Sequence, residues 1–363
     1  MKKIALLVLC FLLIVLNAGA HVEARKHRRS DRRPNYKLFV FGDSFVDIGN
    51  RGPTPQRIEI SRQWYTPYGM SDPAHGNRAT GRFSDGLVQP DFVAKILGRD
   101  ESPPAVRLWH DDGREFTGLN FAVGGSSVYE EADAPCLRNQ TEQLRSMVRN
   151  RYIDEEDVED SVALIAVTGM RDYVGLTGVD TDDDLARFAN SVTDRILDGV
   201  RRLQRMGVSK VLVDTMPALG CTPWRSWSTR YTRCDSRGNR LSDLHNTALR
   251  HKLGELDDVL LLDLNTIFNS IMSAVCFYRC IYDLHTAGSA ASSQQFQRTL
   301  APCCEAWNPD SYCGLVDDRG TKQYNLCPDP ANFFYGDFWH PTQAAWTAVM
   351  QVLEEPIKDF LGI

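Results

Sequence analysis

No spacing in this chain suits a zinc site: no paired CxxC occurs and no HExxH. There is no glycine-rich phosphate loop, no internal repeat and no low-complexity block. Nucleotide-driven chemistry and repeat architectures are therefore without support. A basic excess is also missing. The formal net charge is −6, which gives no reason to expect a nucleic-acid partner. Long hydrophobic runs are scarce. The most prominent, Ile4 to Leu16, is too short for a comfortable membrane span.

That run has another reading. Lys2 and Lys3 precede it, and Ala18-Gly19-Ala20 follows as a small-x-small cleavage site. Residues 1–20 read as a cleaved secretory signal, with a short Golgi-type anchor as the alternative. A basic stretch, Arg25 to Arg29 with Arg32 and Arg33, reads as a solvated arm over 21–35. Of ten cysteines, Cys10 lies in the signal and nine remain. After a signal peptide that density predicts disulfides, and the odd number leaves at least one cysteine without an intramolecular partner. Asn139-Gln140-Thr141 is a glycosylation sequon, which predicts an exposed Asn139.

What is present is an ordinary globular composition, 43% hydrophobic and 24% charged over 363 residues. One large core is affordable, and residues 36–363 read as a single domain. Leu38 to Phe41, Val162 to Val167, Val208 to Val213 and Val259 to Leu264 are continuous apolar runs expected to be buried strands. Helices separate them. One is capped by Asp184 and carries Leu185, Phe188, Val192, Ile196, Val200 and Leu203; another is capped by Ser242. Strands so separated require a parallel sheet with right-handed crossovers. A disulfide-pinned excursion over about 276–330 breaks the rhythm. Residues 49–90 read as loop, whose aromatics line a pocket or pack beneath it.

Ser44 follows the first strand and Gly42, at the sheet edge where open α/β folds place ligands. A serine there is a nucleophile if a base reaches it. Near the C-terminus stands Asp337-Phe338-Trp339-His340-Pro341. A carboxylate three residues before a histidine can accept its Nδ1–H and orient the ring. Pro341 suits the first position of the helix that carries Trp346, Val349, Met350 and Leu353, which would set His340 at the positive end of the dipole and keep it neutral.

Three blocks carry a resemblance: Phe41-Gly42-Asp43-Ser44-Phe45, Gly118-Leu119-Asn120-Phe121-Ala122-Val123-Gly124-Gly125, and Asp337-Phe338-Trp339-His340-Pro341-Thr342. In this order the chain resembles the GDSL esterase/lipase family of the SGNH hydrolases, plant branch, over roughly residues 38–353. The resemblance implies a three-layer α/β/α sandwich around a parallel sheet, flavodoxin-like in outline. It implies Ser44 as nucleophile, His340 as base and Asp337 as orienting carboxylate. The oxyanion donors it implies are the Ser44 and Gly125 N–H groups and an Asn side chain; Asn120 is read as bracing the turn. Cys221 with Cys234, and the group Cys303, Cys304, Cys313 and Cys327, resemble positions common in that branch. The sequence departs from the family at Gly169-Met170-Arg171-Asp172, where Arg171 stands in the Asn position, and at Gly336, where many relatives carry Trp. Arg171 either folds over Ser44 as a substitute donor, the preferred expectation, or swings out to a carboxylate.

The expected activity is hydrolysis of carboxylic esters by a secreted serine esterase. Neither a metal nor a cofactor is expected. The partner is a small-molecule, lipid or cell-wall polysaccharide ester, without nucleic acid or a membrane span, and the chain is read as a monomer. No lid helix is evident, which favours small acyl groups. Two alternatives use the same residues differently: an acyltransferase that resolves the Ser44 acyl-enzyme with an alcohol, and a non-catalytic binding protein on the same fold.

Overall fold

Alternate residues of a strand point to opposite faces, so a run that is apolar at every position needs cover on both sides. That condition governs the computed structural model, which describes residues 35–54, 58–131, 133–174, 181–278, 296–308 and 310–363, side chains of 274–278 excepted. The expectations for the signal segment, the basic arm and Cys280 lie outside the described residues, as does the side chain of Cys276.

Five parallel strands form the central sheet: β1 (Lys37–Gly42), β2 (Gly118–Asn120), β3 (Ser161–Ala166), β4 (Lys210–Asp214) and β5 (Val259–Leu262), in the order β2-β1-β3-β4-β5. β1 is central to the site. It pairs with β3 from Lys37↔Ser161 to Gly42↔Ala166 and with β2 through Phe39↔Leu119. The faces separate cleanly. Leu38, Val40, Leu164 and Leu212 pack against α1 (Gln89–Ile96), α5 (Leu264–Tyr278) and α6 (Gln343–Leu361) through Val93, Phe268 and Trp346. Phe39, Phe41, Ile165 and Val213 pack against α2 (Leu137–Arg149), α3 (Asp182–Arg205) and α4 (Ser236–Leu253) through Leu144, Val192 and Leu249. Each such side chain removed from water stabilises the fold by about 1.5–3 kcal/mol before entropy is counted. The expected α/β/α layering follows, and Tyr36–Leu361 forms one compact unit.

The excursion is a brace for the site. β6 (Arg298–Pro302) pairs in parallel with β9 (Phe333–Tyr335), and β7 (Cys304–Ala306) pairs with β8 (Tyr324–Leu326) in antiparallel sense. Disulfides Cys303–Cys327 and Cys304–Cys313 pin them, and Cys221–Cys234 closes a loop elsewhere. Cys303 N–H donates to Tyr335 O and Cys304 N–H to Gly336 O, so the bridged segment holds the chain just ahead of Asp337. Cys136 is buried and free.

Several boundaries differ from the sequence reading. Thr181, not Asp184, caps α3: its hydroxyl accepts from Asp184 N–H. Asp235 caps α4, and Ser242 lies inside that helix, bonded to Leu219 N–H and Pro217 O. The last strand stops at Leu262 because Leu264 already begins α5. Pro341 is not a first helical residue. It bridges to Tyr335, and Thr342 N–H donates to Phe334 O, so both remain extended. Helix α6 begins at Gln343, with the Thr342 hydroxyl accepting from Ala345 N–H. Among the described residues no helix is long and apolar enough to cross a membrane.

Candidate active site

β1 ends in a turn that only glycine allows. Gly42 has φ +143°, and a Cβ there would lie 2.0 Å from Ala166 O. Gln140 of α2 grips this residue from both sides: its Oε1 accepts from Gly42 N–H at 2.8 Å and its Nε2 donates to Gly42 O at 2.9 Å. Two buried aspartates then set the loop that follows. Asp43 accepts from Phe45 N–H, Thr168 N–H and the Thr168 hydroxyl, tying the loop to the end of β3. Burial pushes its carboxyl up to about 6, against the pull of those hydrogen bonds. Asp47 accepts from the N–H groups of Gly49, Asn50, Arg51 and Gly124. The first and second blocks are thereby fastened together, with Ser44 between them.

Ser44, His340 and Asp337 come together. His340 Nε2 lies 2.8 Å from Ser44 Oγ, and Nδ1 lies 2.8 and 2.9 Å from the two Asp337 oxygens. The carboxylate is heavily engaged. Oδ1 accepts from Trp339 and His340 N–H, and Oδ2 from the Tyr68 hydroxyl at 2.7 Å and Arg62 Nε at 3.4 Å. Burial alone would raise the Asp337 carboxyl, but the adjacent imidazole, the Arg62 guanidinium and these hydrogen bonds win and hold it well below the usual range. For His340 the balance goes the other way. Burial lowers its pKa more than Asp337 raises it, and Arg62 lowers it further. Burial is the leading cause, and His340 does not sit at a helix N-terminus, since α6 begins only at Gln343. The ring is clamped by Phe83, stacked at 4.9 Å, and by Phe45 at 5.8 Å.

Gly125 follows β2 with φ +84°, a conformation L side chains rarely adopt. Among the described residues neither its N–H nor that of Ser44 has a protein acceptor. Asn120 does brace the turn, donating to Val46 O and accepting from Ala122 N–H. Arg171 takes the outward course, which corrects the preferred expectation. Its Nη2 bonds Glu131 at 3.2 Å and lies 3.9 Å from Asp133, and the side chain is 49% exposed. A guanidinium beside two carboxylates finds opposite charge there, which the half-buried, uncharged Ser44 hydroxyl does not offer. Asn139 is exposed on α2, while Gln140 and Thr141 are buried.

Arg62, Tyr68 and Phe83 were missed as site residues. All three fall within residues 49–90, which read from the sequence as loop with aromatics of unassigned role. Arg62 gave no signal, because its partner lies 275 residues away. A buffer of such contacts runs behind the histidine loop: the Ser84 hydroxyl donates to Pro341 O, and Asp85 accepts from Gln343 N–H. No group of residues suited to a metal ion occurs among the described residues.

A model of the GDSL-like lipase/acylhydrolase family matches residues 38–352. The chain belongs to that family. It is similar to the GDSL esterase/lipase At3g09930 of Arabidopsis thaliana, 31% identical over 94% of this chain and 93% of that protein. It is likewise 31% identical to the GDSL esterase/lipase At5g03610 of the same plant, over 94% and 92% of the two chains. Membership in this family makes the chain a serine carboxylic-ester hydrolase. In this fold Ser44 follows β1, Gly125 follows β2, and Asp337 and His340 follow β9.

Proposed function

We propose that this GDSL hydrolase is a secreted esterase that cleaves small acyl esters through a Ser44–His340–Asp337 triad and an acyl-enzyme. The observation that carries the reading is the unbroken relay from Ser44 Oγ through the imidazole to Asp337, all within 2.9 Å per step. Neutral His340 takes the Ser44 proton on Nε2 as Oγ attacks the ester carbonyl. Asp337 stays ionised and stabilises the imidazolium through Nδ1–H. The Ser44 and Gly125 N–H groups meet the negative oxygen of the tetrahedral intermediate. His340 returns the proton to the leaving alcohol, and water then repeats the sequence to free the acid. Arg171 stays with Glu131, so the hole has two backbone donors. Export is supported by the expected signal and by the three disulfides.

The test is a panel of nitrophenyl esters of increasing chain length on purified protein, with fluorophosphonate labelling in parallel. Ser44→Ala is expected to lose the label and nearly all turnover, since triad members act as a unit. A Ser44→Ala variant that kept a tenth of the activity would sink the mechanism.

A further inference from the structure

One of the two oxyanion donors belongs to the peptide group that joins Gly124 to Gly125. The carbonyl of that group is Gly124's and the N–H is Gly125's. In a planar trans peptide the two point in opposite directions, so whatever holds the oxygen also aims the N–H. Two successive glycines, lacking Cβ atoms, leave such a plane easily turned.

Arg51 holds the oxygen. Its Nε donates to Gly124 O at 2.9 Å. The arginine is itself anchored along its length. Its N–H donates to Asp47 Oδ2, its carbonyl accepts from Gln63 Nε2 and Trp64 Nε1, and its Nη1 donates to Asp133 O. Asp47 Oδ2 also accepts from Gly124 N–H at 2.7 Å, so Gly124 is gripped on both sides. The gripped residue borders the reactive centre. A Cβ on Gly124 would lie 2.6 Å from the ring of Phe83, which stacks on His340.

The charge is close as well. Arg51 Nη2 lies 3.0 Å from where a Cβ on Gly125 would stand. It is buried and makes no hydrogen bond among the described residues; the Asp133 carboxylate stands 3.6 Å away. A cation on the carbonyl side polarises the peptide and strengthens the N–H on the other side as a donor.

We propose that Arg51 is a positioning residue: by holding Gly124 O it aims the Gly125 N–H into the oxyanion hole. The inference rests on Ser44 being the nucleophile and Gly125 N–H an oxyanion donor. Arg51 acts through the peptide and not on the substrate.

The experiment compares wild type, Arg51→Met and Arg51→Gln. Methionine keeps much of the stem but neither donor nor charge. Glutamine carries Nε2 on Cδ, the same carbon that bears Nε in arginine, so it can keep the grip without the charge. Two quantities are read: kcat per Ser44 titrated with a fluorophosphonate, and the kcat/KM ratio of a nitrophenyl ester to its thionoester. Sulfur in place of the carbonyl oxygen is a weak acceptor, so the ratio reports the donors, whatever fraction of the protein is folded. Arg51→Met should lose about tenfold to a hundredfold in kcat with KM within about threefold, a share of what one oxyanion donor is worth. Its ester-to-thionoester ratio should fall by about tenfold, whereas Arg51→Gln should keep kcat within about fivefold and the ratio within about threefold of wild type.

Arg51→Met with kcat within about threefold of wild type overturns the inference. So does a loss of kcat that leaves the ratio unchanged, or a variant with no titratable Ser44, since either assigns the side chain to the fold. Arg51→Gln falling as far as Arg51→Met in both quantities overturns the grip. Ser44→Ala separates the two levels. Turnover that survives it refutes the reading beneath, whereas a labelled Ser44 with an indifferent Arg51 refutes only the positioning role.

Discussion

Two arginines exchange the roles that their positions in the chain suggest. Arg171 stands where the family places an oxyanion donor, yet it is half-exposed and paired with Glu131. Arg62 stands in a stretch read as loop, yet it is buried against Tyr68, Asp337 and the face of Phe83. The prediction for Arg171→Ala is a kcat within about threefold of wild type, as for a surface ion pair of small worth. A loss of a hundredfold in kcat at constant KM would show that the guanidinium reaches the oxyanion after all, because one donor is worth about that much. For Arg62 the readout is pH. In the proposed mechanism catalysis needs neutral His340, so the rate should rise as pH climbs through its pKa, which burial sets below the ordinary 6.5. Arg62 pushes it the same way. Arg62→Met removes a neighbouring cation, eases protonation of the ring, and should move the acidic limb of kcat/KM to higher pH. A limb that stays put or moves down would exclude this electrostatic role.

At the scale of elements, the histidine loop is held from outside rather than by its own helix. β9 leans on β6, and Cys304 N–H holds Gly336 O one residue before Asp337. The bridges Cys303–Cys327 and Cys304–Cys313 close loops of 24 and 9 residues in sequence separation. Removing either as a Cys→Ser pair should cost about 2–4 kcal/mol of stability. Because the braced strand leads into Asp337, activity should fall at temperatures where the fold is still intact. Equal loss of activity and of secondary structure on heating would mean that the bridges stabilise the fold as a whole and do nothing particular for the site.

The whole molecule carries a buried group that ties its stability to pH. His245 of α4 is fully buried, and its Nδ1 lies 2.8 Å from the Tyr173 hydroxyl. Burial, with a smaller push from Lys252, lowers its pKa from 6.5 to about 3. The folded state therefore binds this proton less readily than the unfolded chain does. The neutral ring's contribution is fully present above pH 6.5 and is lost as pH falls from 6.5 toward 3, by roughly 5 kcal/mol over that span. Urea midpoints measured between pH 7 and 4 should decline, and His245→Gln should flatten the decline. An identical slope in the variant would assign acid sensitivity to other groups.

How much of this was legible follows from which interactions are local. Leu38 to Phe41 and Val162 to Val167 could be read as strands because burial on both faces leaves an unbroken apolar run, a pattern written within six residues. Ser44, Asp337 and His340 stood out because they fall in blocks that resemble the family's motifs, and the structure brings them together across 296 residues of chain. Caps were less legible: Ser242 and Thr181 are both good cap residues, and only the packing of α4 onto the β4 loop decides that Ser242 serves inside the helix. The partners of the site were not written locally at all. That Arg62 lies against Asp337 while Arg171 pairs with Glu131 depends on which distant surfaces are pressed together and where water is shut out. The sequence by itself determined the sheet, through periodicity, and the candidates Ser44, Asp337 and His340, through short motifs that resemble the family's, because both are local properties. Charge placement and burial were decided only by the tertiary structure, because desolvation and long-range pairing exist only once the chain has folded.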